Sequence, residues 1–235
     1  MALARVPETT TERLKAFTDG VVAIAMTLLI LPLMEGVGEA VHEPGMTTLR
    51  YVQEHGDQLF SFLLSFVLIA MFWMNHHQLY ASIEHATLPL TWLAVAWMLT
   101  IVWMPVPTAL LGELDVDDGQ KVVYIGSLMA TAIVQLATRA YVLRHRELST
   151  ADPEAVFSGL VADVTMVVLY LIALVTALAI PDGTGYFAMF LLVLTGPVHA
   201  VVMRAWRRRR GAEPSGAPAG EQGTGAAEVP AADDA

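Results

Sequence analysis

Cysteine is absent from the 235 residues, which rules out a disulfide framework, a thiolate nucleophile and any cysteine-ligated metal centre. Charge is also scarce, at 15% of residues against 55% hydrophobic, far from the balance of a soluble domain. The scarcity is localised: residues 20–34, 58–83, 86–112, 122–138, 164–181 and 183–203 contain no Asp, Glu, Lys or Arg at all. A bilayer core needs about 20 apolar helical residues, within a range of about 17–25. Five of the runs meet that length and the first is short. Residues 1–11 have no apolar stretch followed by a small-residue cleavage site, and Asp19 immediately precedes the first run, so that run is expected to remain as a helix. The formal charge of −10 argues against nucleic acid as a partner, although Glu213, Glu221, Glu228, Asp233 and Asp234 concentrate acid in the last stretch.

The basic residues that are present set a topology. Arg5, Arg13 and Lys15 precede the first run; Arg139, Arg144 and Arg146 end the fourth; Arg204 and Arg207, Arg208, Arg209 and Arg210 end the sixth. Only Arg50 and Lys121 fall on the other side, among many acids. Lys and Arg mark cytoplasmic loops, so both termini are expected in the cytoplasm and the number of spans is even. The chain reads as an all-α integral membrane protein of the cell membrane, in contact with its lipids. Helices are expected near 15–34, 58–81, 87–111, 121–144, 158–180 and 185–206, with a short surface helix in the external segment around 47–55 capped by Thr47 or Thr48. Residues 1–12 form an N-terminal segment, 13–206 the six-helix unit, and 207–235 a basic stop followed by an Ala/Gly/Pro-rich acidic tail. That tail holds too little apolar surface to offset its ordering entropy and is expected to be disordered.

Ionisable groups inside a membrane are costly and are functional candidates. Here they fall at one depth: Asp19 on the first helix, Asn75, His76 and His77 on the second, Thr91 and Trp92 on the third, Arg139 on the fourth, Asp163 on the fifth and His199 on the sixth. A packing network is the plainer reading, with Asp19 paired to His76 or His77 and Arg139 to Asp163. A proton relay between Asp19 and the histidines is the sharper one. Adjacent His76 and His77 diverge by about 100° on a helix, which disfavours joint ligation of one metal ion, and no metal or other cofactor is expected.

The first helix has a distinctive wheel. With Ile24 at zero, Gly20, Thr27, Leu28, Leu31 and Glu35 fall within about 60° of it, whereas Asp19 points to the other side and Ala23 lies about 100° away. A bulky aliphatic stripe therefore carries one hydroxyl layer and ends on an external acid. The opening Arg13-x-x-x-Phe17-Thr18-Asp19 resembles the signature of the transmembrane protein 175 family of potassium channels, whose prokaryotic branch has six helices per chain. Phe72-Trp73-Met74-Asn75-His76-His77 and Met104-Pro105-Val106-Pro107-Thr108 support the resemblance over roughly residues 13–206. Thr18 replaces the commoner serine and keeps the hydroxyl.

The resemblance implies a homotetramer whose four first helices line the pore, with Ile24 as the hydrophobic constriction and Thr27 as the threonine layer beyond it. Leu28 and Leu31 continue the face, and Glu35 stands at the outer mouth. Arg13, Phe17, Thr18, Asp19, Asn75, His76, His77 and Trp92 would form the structural motif and polar network. The expected function is passive potassium permeation through a hydrophobic gate, since no Thr-Val-Gly-Tyr-Gly-like filter segment occurs. A proton-coupled secondary transporter using Asp19 with His76 and His77 is the alternative. An integral-membrane enzyme with a metal on His76, His77 and His199 finds no second ligand motif, and enzymatic chemistry is not expected.

Overall fold

The computed structural model describes residues 8–114 and 117–179, all of it helical apart from turns and one isolated β-bridge. The expected helix at 185–206, His199 and the tail lie outside the described residues. Helices α1 (Glu8–Leu28), α2 (Leu31–Ala40), α3 (Thr48–Glu54), α4 (Gly56–Ala81), α5 (Leu88–Trp103), α6 (Pro105–Glu113), α7 (Asp118–Arg144) and α8 (Pro153–Ala179) follow one another, with a 3-10 turn at Arg146–Leu148. Taking α1 with α2 and α5 with α6 as continuous rods, five stretches among the described residues are long and apolar enough to cross a membrane: Thr11–Ala40, Gly56–Ala81, Leu88–Glu113, Asp118–Arg144 and Glu154–Ala179.

Two of the expected helices are broken, and proline explains both. Instead of running unbroken over 15–34, the first begins at Glu8, turns at Leu29 and Ile30, and continues to Ala40. Pro32 has no amide hydrogen to return to Leu28, and its ring crowds the preceding turn. The chain tightens there, with Ile30 N donating to Thr27 O at 3.3 Å before Met34 N donates to Ile30 O at 3.0 Å. The third expected helix, 87–111, divides at Met104 into α5 and α6. Pro105 cannot serve the carbonyl of Ile101, and Met104 N takes its place at 3.1 Å. Both prolines sit in the first turn of the new helix, where a missing N–H costs nothing. The remaining boundaries move by a few residues: α7 starts earlier because the Asp117 side chain accepts from Gln120 N at 2.6 Å and caps it. The surface helix α3 is present and Thr47 caps it, accepting from Arg50 N at 3.3 Å.

One end of the bundle gathers the start of α1, the α4–α5 turn and the α7–α8 turn. Ala86 N donates to the Thr11 hydroxyl at 3.1 Å, Thr150 N donates to Ser82 O at 2.9 Å, and Ile83 and Ser149 form the bridge. Arg13, Lys15, Arg144 and Arg146 therefore lie at the same end, as the charge pattern requires. Between the ends, the core joins Val22, Ala25 and Leu29 of α1 to Leu68 and Phe72 of α4, Trp97 and Ile101 of α5, Leu128 of α7 and Tyr170 of α8. Lipid tails are as apolar as these side chains, so close van der Waals packing and internal polar bonds, rather than exclusion from water, hold such helices together.

Candidate functional site: the first helix and the polar layer behind it

The sequence wheel divides α1 and α2 as the structure does. Thr18, Val22, Ala25, Leu29 and Leu33 are buried, at spacings of three and four residues. On the other side Ile24 is 61% exposed and Leu31 50%, with Leu28, Thr27 and Glu35 also uncovered. Ala23 is exposed too, so the uncovered surface is broader than the stripe and the buried side begins at Val22. Thr27 donates its hydroxyl proton to Ile24 O at 2.7 Å. The oxygen's remaining lone pairs are left on the exposed side, an acceptor with no proton of its own to offer. Glu35 lies inside α2 and not beyond a helix end, because the helix continues to Ala40.

The polar layer is real but is three sites, not one. On α4 the step of about 100° per residue sends Asn75, His76 and His77 to different neighbours. His77 faces α1, with Nδ1 3.7 Å from Asp19 Oδ1, and the same oxygen accepts from Trp73 Nε1 at 2.8 Å. Trp73 precedes His77 by four residues, the spacing that places both on one helix face. This pair is half-exposed, at 42% for Asp19 and 52% for His77. His76 turns away from Asp19, a correction to the pairing that allowed either histidine. Its ring is buried and stacks between Trp97, with centroids 3.9 Å apart, and Tyr80, 4.3 Å apart.

Asn75 joins the third site. Arg139 Nε donates to Asp163 Oδ2 at 2.5 Å, Arg139 Nη2 donates to Asn75 Oδ1 at 2.7 Å, and Asn75 Nδ2 donates to Asp163 Oδ1 at 2.8 Å. Each member is bonded to the other two, and the buried charges cancel inside the bundle. A Cβ on Gly159 would run into the Arg139 guanidinium, so this glycine is what lets α8 approach. The Arg139–Asp163 pair expected from the sequence is therefore present, with Asn75 as the third member.

Other expected members stand apart. Trp92 is 65% exposed and Phe17 63%, both directed away from the packed side, and Arg13 is exposed. Thr18 bonds within its own helix, donating to Leu14 O at 2.9 Å. Thr91 likewise donates to Thr87 O at 3.1 Å. Sequence reasoning missed Trp73, although its spacing from His77 was available, and it missed a buried hydroxyl cluster nearer the other end. There Ser65 Oγ lies 3.0 Å from Tyr124 OH and 2.8 Å from Thr108 Oγ1, which is also 2.8 Å from Met104 O at the α5–α6 break. Among the described residues no group of three or more His, Cys, Asp or Glu side chains is placed to hold a metal ion.

With this geometry in view, residues 13–105 match the sequence model of the family described as the endosomal/lysosomal potassium channel TMEM175. The chain is 31% identical over 140 residues to a potassium channel of Streptomyces collinus, covering 58% of this chain and 61% of that one. It is 35% identical over 130 residues to a potassium channel of Chamaesiphon minutus, covering 53% and 62%. The chain thus spans about three fifths of the length of these relatives. An endosomal/lysosomal proton channel TMEM175 of Danio rerio is 36% identical over 83 residues, 32% of this chain and 15% of that one. Among solved structures, the potassium-selective TMEM175 homologue of Chamaesiphon minutus superimposes with a TM-score of 0.58 at 24% identity, over 87% of this chain and all of that one (100%). A variant of the potassium channel MtTMEM175, solved in complex with a nanobody fusion protein, gives 0.57 at 17% identity, over 83% and 93%. These two establish the fold, and the relatives are named as channels rather than enzymes. The resemblance carried by Arg13, Phe17, Thr18 and Asp19 is borne out: over residues 13–105 the chain matches the TMEM175 family model, and it is similar to proteins named as potassium channels.

Proposed function

We propose that the protein is a passive, potassium-permeable channel in which four copies bring the exposed face of α1 and α2 together around one pathway, with both termini on the cytoplasmic side of the cell membrane. The observation that carries this reading is the uncovered stripe of Ile24, Thr27, Leu28 and Leu31. It lies within the segment that matches the family, opposite a face already packed against α4 and α5. Four Ile24 side chains would form a ring that excludes water when narrow and passes partly dehydrated ions when slightly wider. Thr27 supplies the polar layer: its proton is held by Ile24 O, so its oxygen presents lone pairs, the end that a cation prefers. Four hydroxyl oxygens replace part of a hydration shell less strictly than a carbonyl cage, and a modest preference for K⁺ over Na⁺ follows. Glu35, exposed on α2, would concentrate cations at the outer mouth.

The test is bilayer recording of purified protein in asymmetric KCl and NaCl. A reversal potential that follows the potassium gradient supports the channel, and one that follows only ΔpH overturns it. A second reading has its own observation: Asp19 and His77 form a half-exposed ionisable pair, and relatives include named proton channels. Proton permeation would use that pair alone, since His76 is stacked elsewhere, which removes one member from the proposed proton-coupled transporter. His77→Gln then abolishes acid-driven flux while leaving potassium current intact.

A further inference from the structure

Four polar atoms in the middle of the bundle are buried with no hydrogen-bond partner among the described residues: His76 Nε2, Trp97 Nε1 and both amide atoms of Gln135. The three residues are themselves buried, at 3%, 0% and 1% exposure. Their positions converge. The His76 and Trp97 rings are stacked, which places α4 against α5 at this depth. Helices α5 and α7 run antiparallel, and their register is fixed by Trp103 Nε1 donating to Ser127 Oγ at 2.9 Å and by Thr87 Oγ1 lying 3.1 Å from Tyr141 OH. That register sets Gln135 within about one turn of Trp97. Helices α4 and α7 run parallel, pinned by Ser65 with Tyr124 and by Asn75 with Arg139, and these bonds set Gln135 within about one turn of the level of His76.

The chemistry of the set identifies an occupant. Trp97 Nε1 only donates, Gln135 both donates and accepts, and neutral His76 Nε2 does one or the other. A cation would meet the Trp97 N–H, which only donates, and among the described residues an anion would find no free positive charge there, because Arg139 is bound to Asp163 and Asn75. A neutral molecule with both donors and acceptors fits. We propose that His76, Trp97 and Gln135 bind an internal water between α4, α5 and α7, as part of the folded structure. The water accepts from Trp97 Nε1, donates to His76 Nε2 and meets one end of the Gln135 amide, which gives it the usual complement of about three bonds. Leaving such groups unsatisfied is costly in any protein interior and more so inside a membrane, where no solvent is at hand.

The experiment uses the full chain and two substitutions that remove polar atoms, Gln135→Met at nearly unchanged volume and Trp97→Phe with a cavity cost of its own, singly and together. The readout is the melting temperature in detergent. If a shared water is bound, each single substitution lowers the melting temperature. The double substitution then lowers it no further than the worse single, because the same water is lost. A rise in melting temperature for either single shows that the group had no partner to lose, and overturns the site. Additive losses overturn it too, because they mean separate interactions. An experimental map of the unsubstituted protein decides independently of how the variants fold. A density peak about 3 Å from both His76 Nε2 and the Gln135 amide is expected. A direct Gln135–Trp97 hydrogen bond, or carbon filling the space, removes the proposal. Neither readout depends on ion conduction, so the channel reading and this one fail separately.

Discussion

The most apolar stretch of the α1–α2 span is only 22% buried, whereas that of α7, which is less apolar, is 39% buried. The more apolar span is the less covered, the reverse of a water-soluble fold. In a bilayer the outside of a protomer is the apolar side, and polar groups must find partners inside. Helix α7 follows that rule: Gln120, Tyr124, Thr131, Gln135, Thr138 and Arg139 are all buried among neighbouring helices. The first span cannot be explained by burial in its own protomer. Its exposed aliphatic stripe faces lipid, another copy or a pathway, and the proposed channel assigns it to the last two, with Thr27 in its midst. Substitutions at the buried polar positions of α7 should therefore damage the fold, and substitutions on the exposed face of α1 should spare the fold and change what crosses.

The sharpest form of this contrast is Asp163→Asn. It leaves the Arg139 guanidinium buried without its carboxylate, and removing one member of a buried ion pair costs about 3–5 kcal/mol. The yield of monodisperse protein and its melting temperature should both collapse, and a variant that melts like the parent would mean that the triad does not hold α4, α7 and α8 together. Gly159→Ala attacks the same triad through packing, at a cost of about 1–3 kcal/mol. Because the new methyl meets the guanidinium, Arg139→Met in the same chain should relieve part of that cost; strict additivity in the double-mutant cycle would contradict the contact.

How much of this the sequence disclosed depends on whether a feature is set by spacing or by choice of partner. The spans are legible from missing charges, and the exposed and buried faces of α1 from the 3.6-residue period, because both are properties of one helix. The Arg139–Asp163 pair is legible because two buried opposite charges at one depth have few alternatives. The division of Asn75, His76 and His77 among three neighbours is only half legible: the angle between them is fixed by the helix, but which helix lies in each direction is a tertiary fact. Trp92 joins the expected network by depth alone, and depth does not say which way a side chain faces. The breaks at Pro32 and Pro105 are written in the sequence, but each apolar run continues through its proline and so hides the break.

On the other side of the contrast, Ile24→Asn should leave the melting temperature within about 0.5 kcal/mol equivalent of the parent, the usual bound for an exposed position. Its effect should appear in single-channel recordings as higher conductance and weaker K⁺ over Na⁺ preference, since four amides would wet the ring. Thr27→Ala should weaken selectivity without a comparable rise in conductance, because the aliphatic ring remains. If Ile24→Asn folds normally and leaves both current and selectivity as they were, this face does not line the pathway.

The smallest expected effect is at Glu35, and it depends on salt. Its carboxylate is exposed on α2, so any influence on ions acts through solvent over several ångströms. The screening length is about 30 Å at 0.01 M salt and about 3 Å at 1 M. Glu35→Gln should therefore lower inward potassium current in dilute KCl, by roughly a factor of two if cation accumulation at the mouth is what the acid provides. Near molar KCl the variant and the parent should coincide. This separates the proposed mouth from the proposed constriction: if Ile24 forms the narrow ring, the effects of substituting it should persist at every salt concentration, whereas a field effect must disappear as salt rises. Equal losses at both concentrations would show that Glu35 acts through the geometry of α2, not through its charge, and would leave the outer end of α2 a packing element rather than the entrance to the pathway.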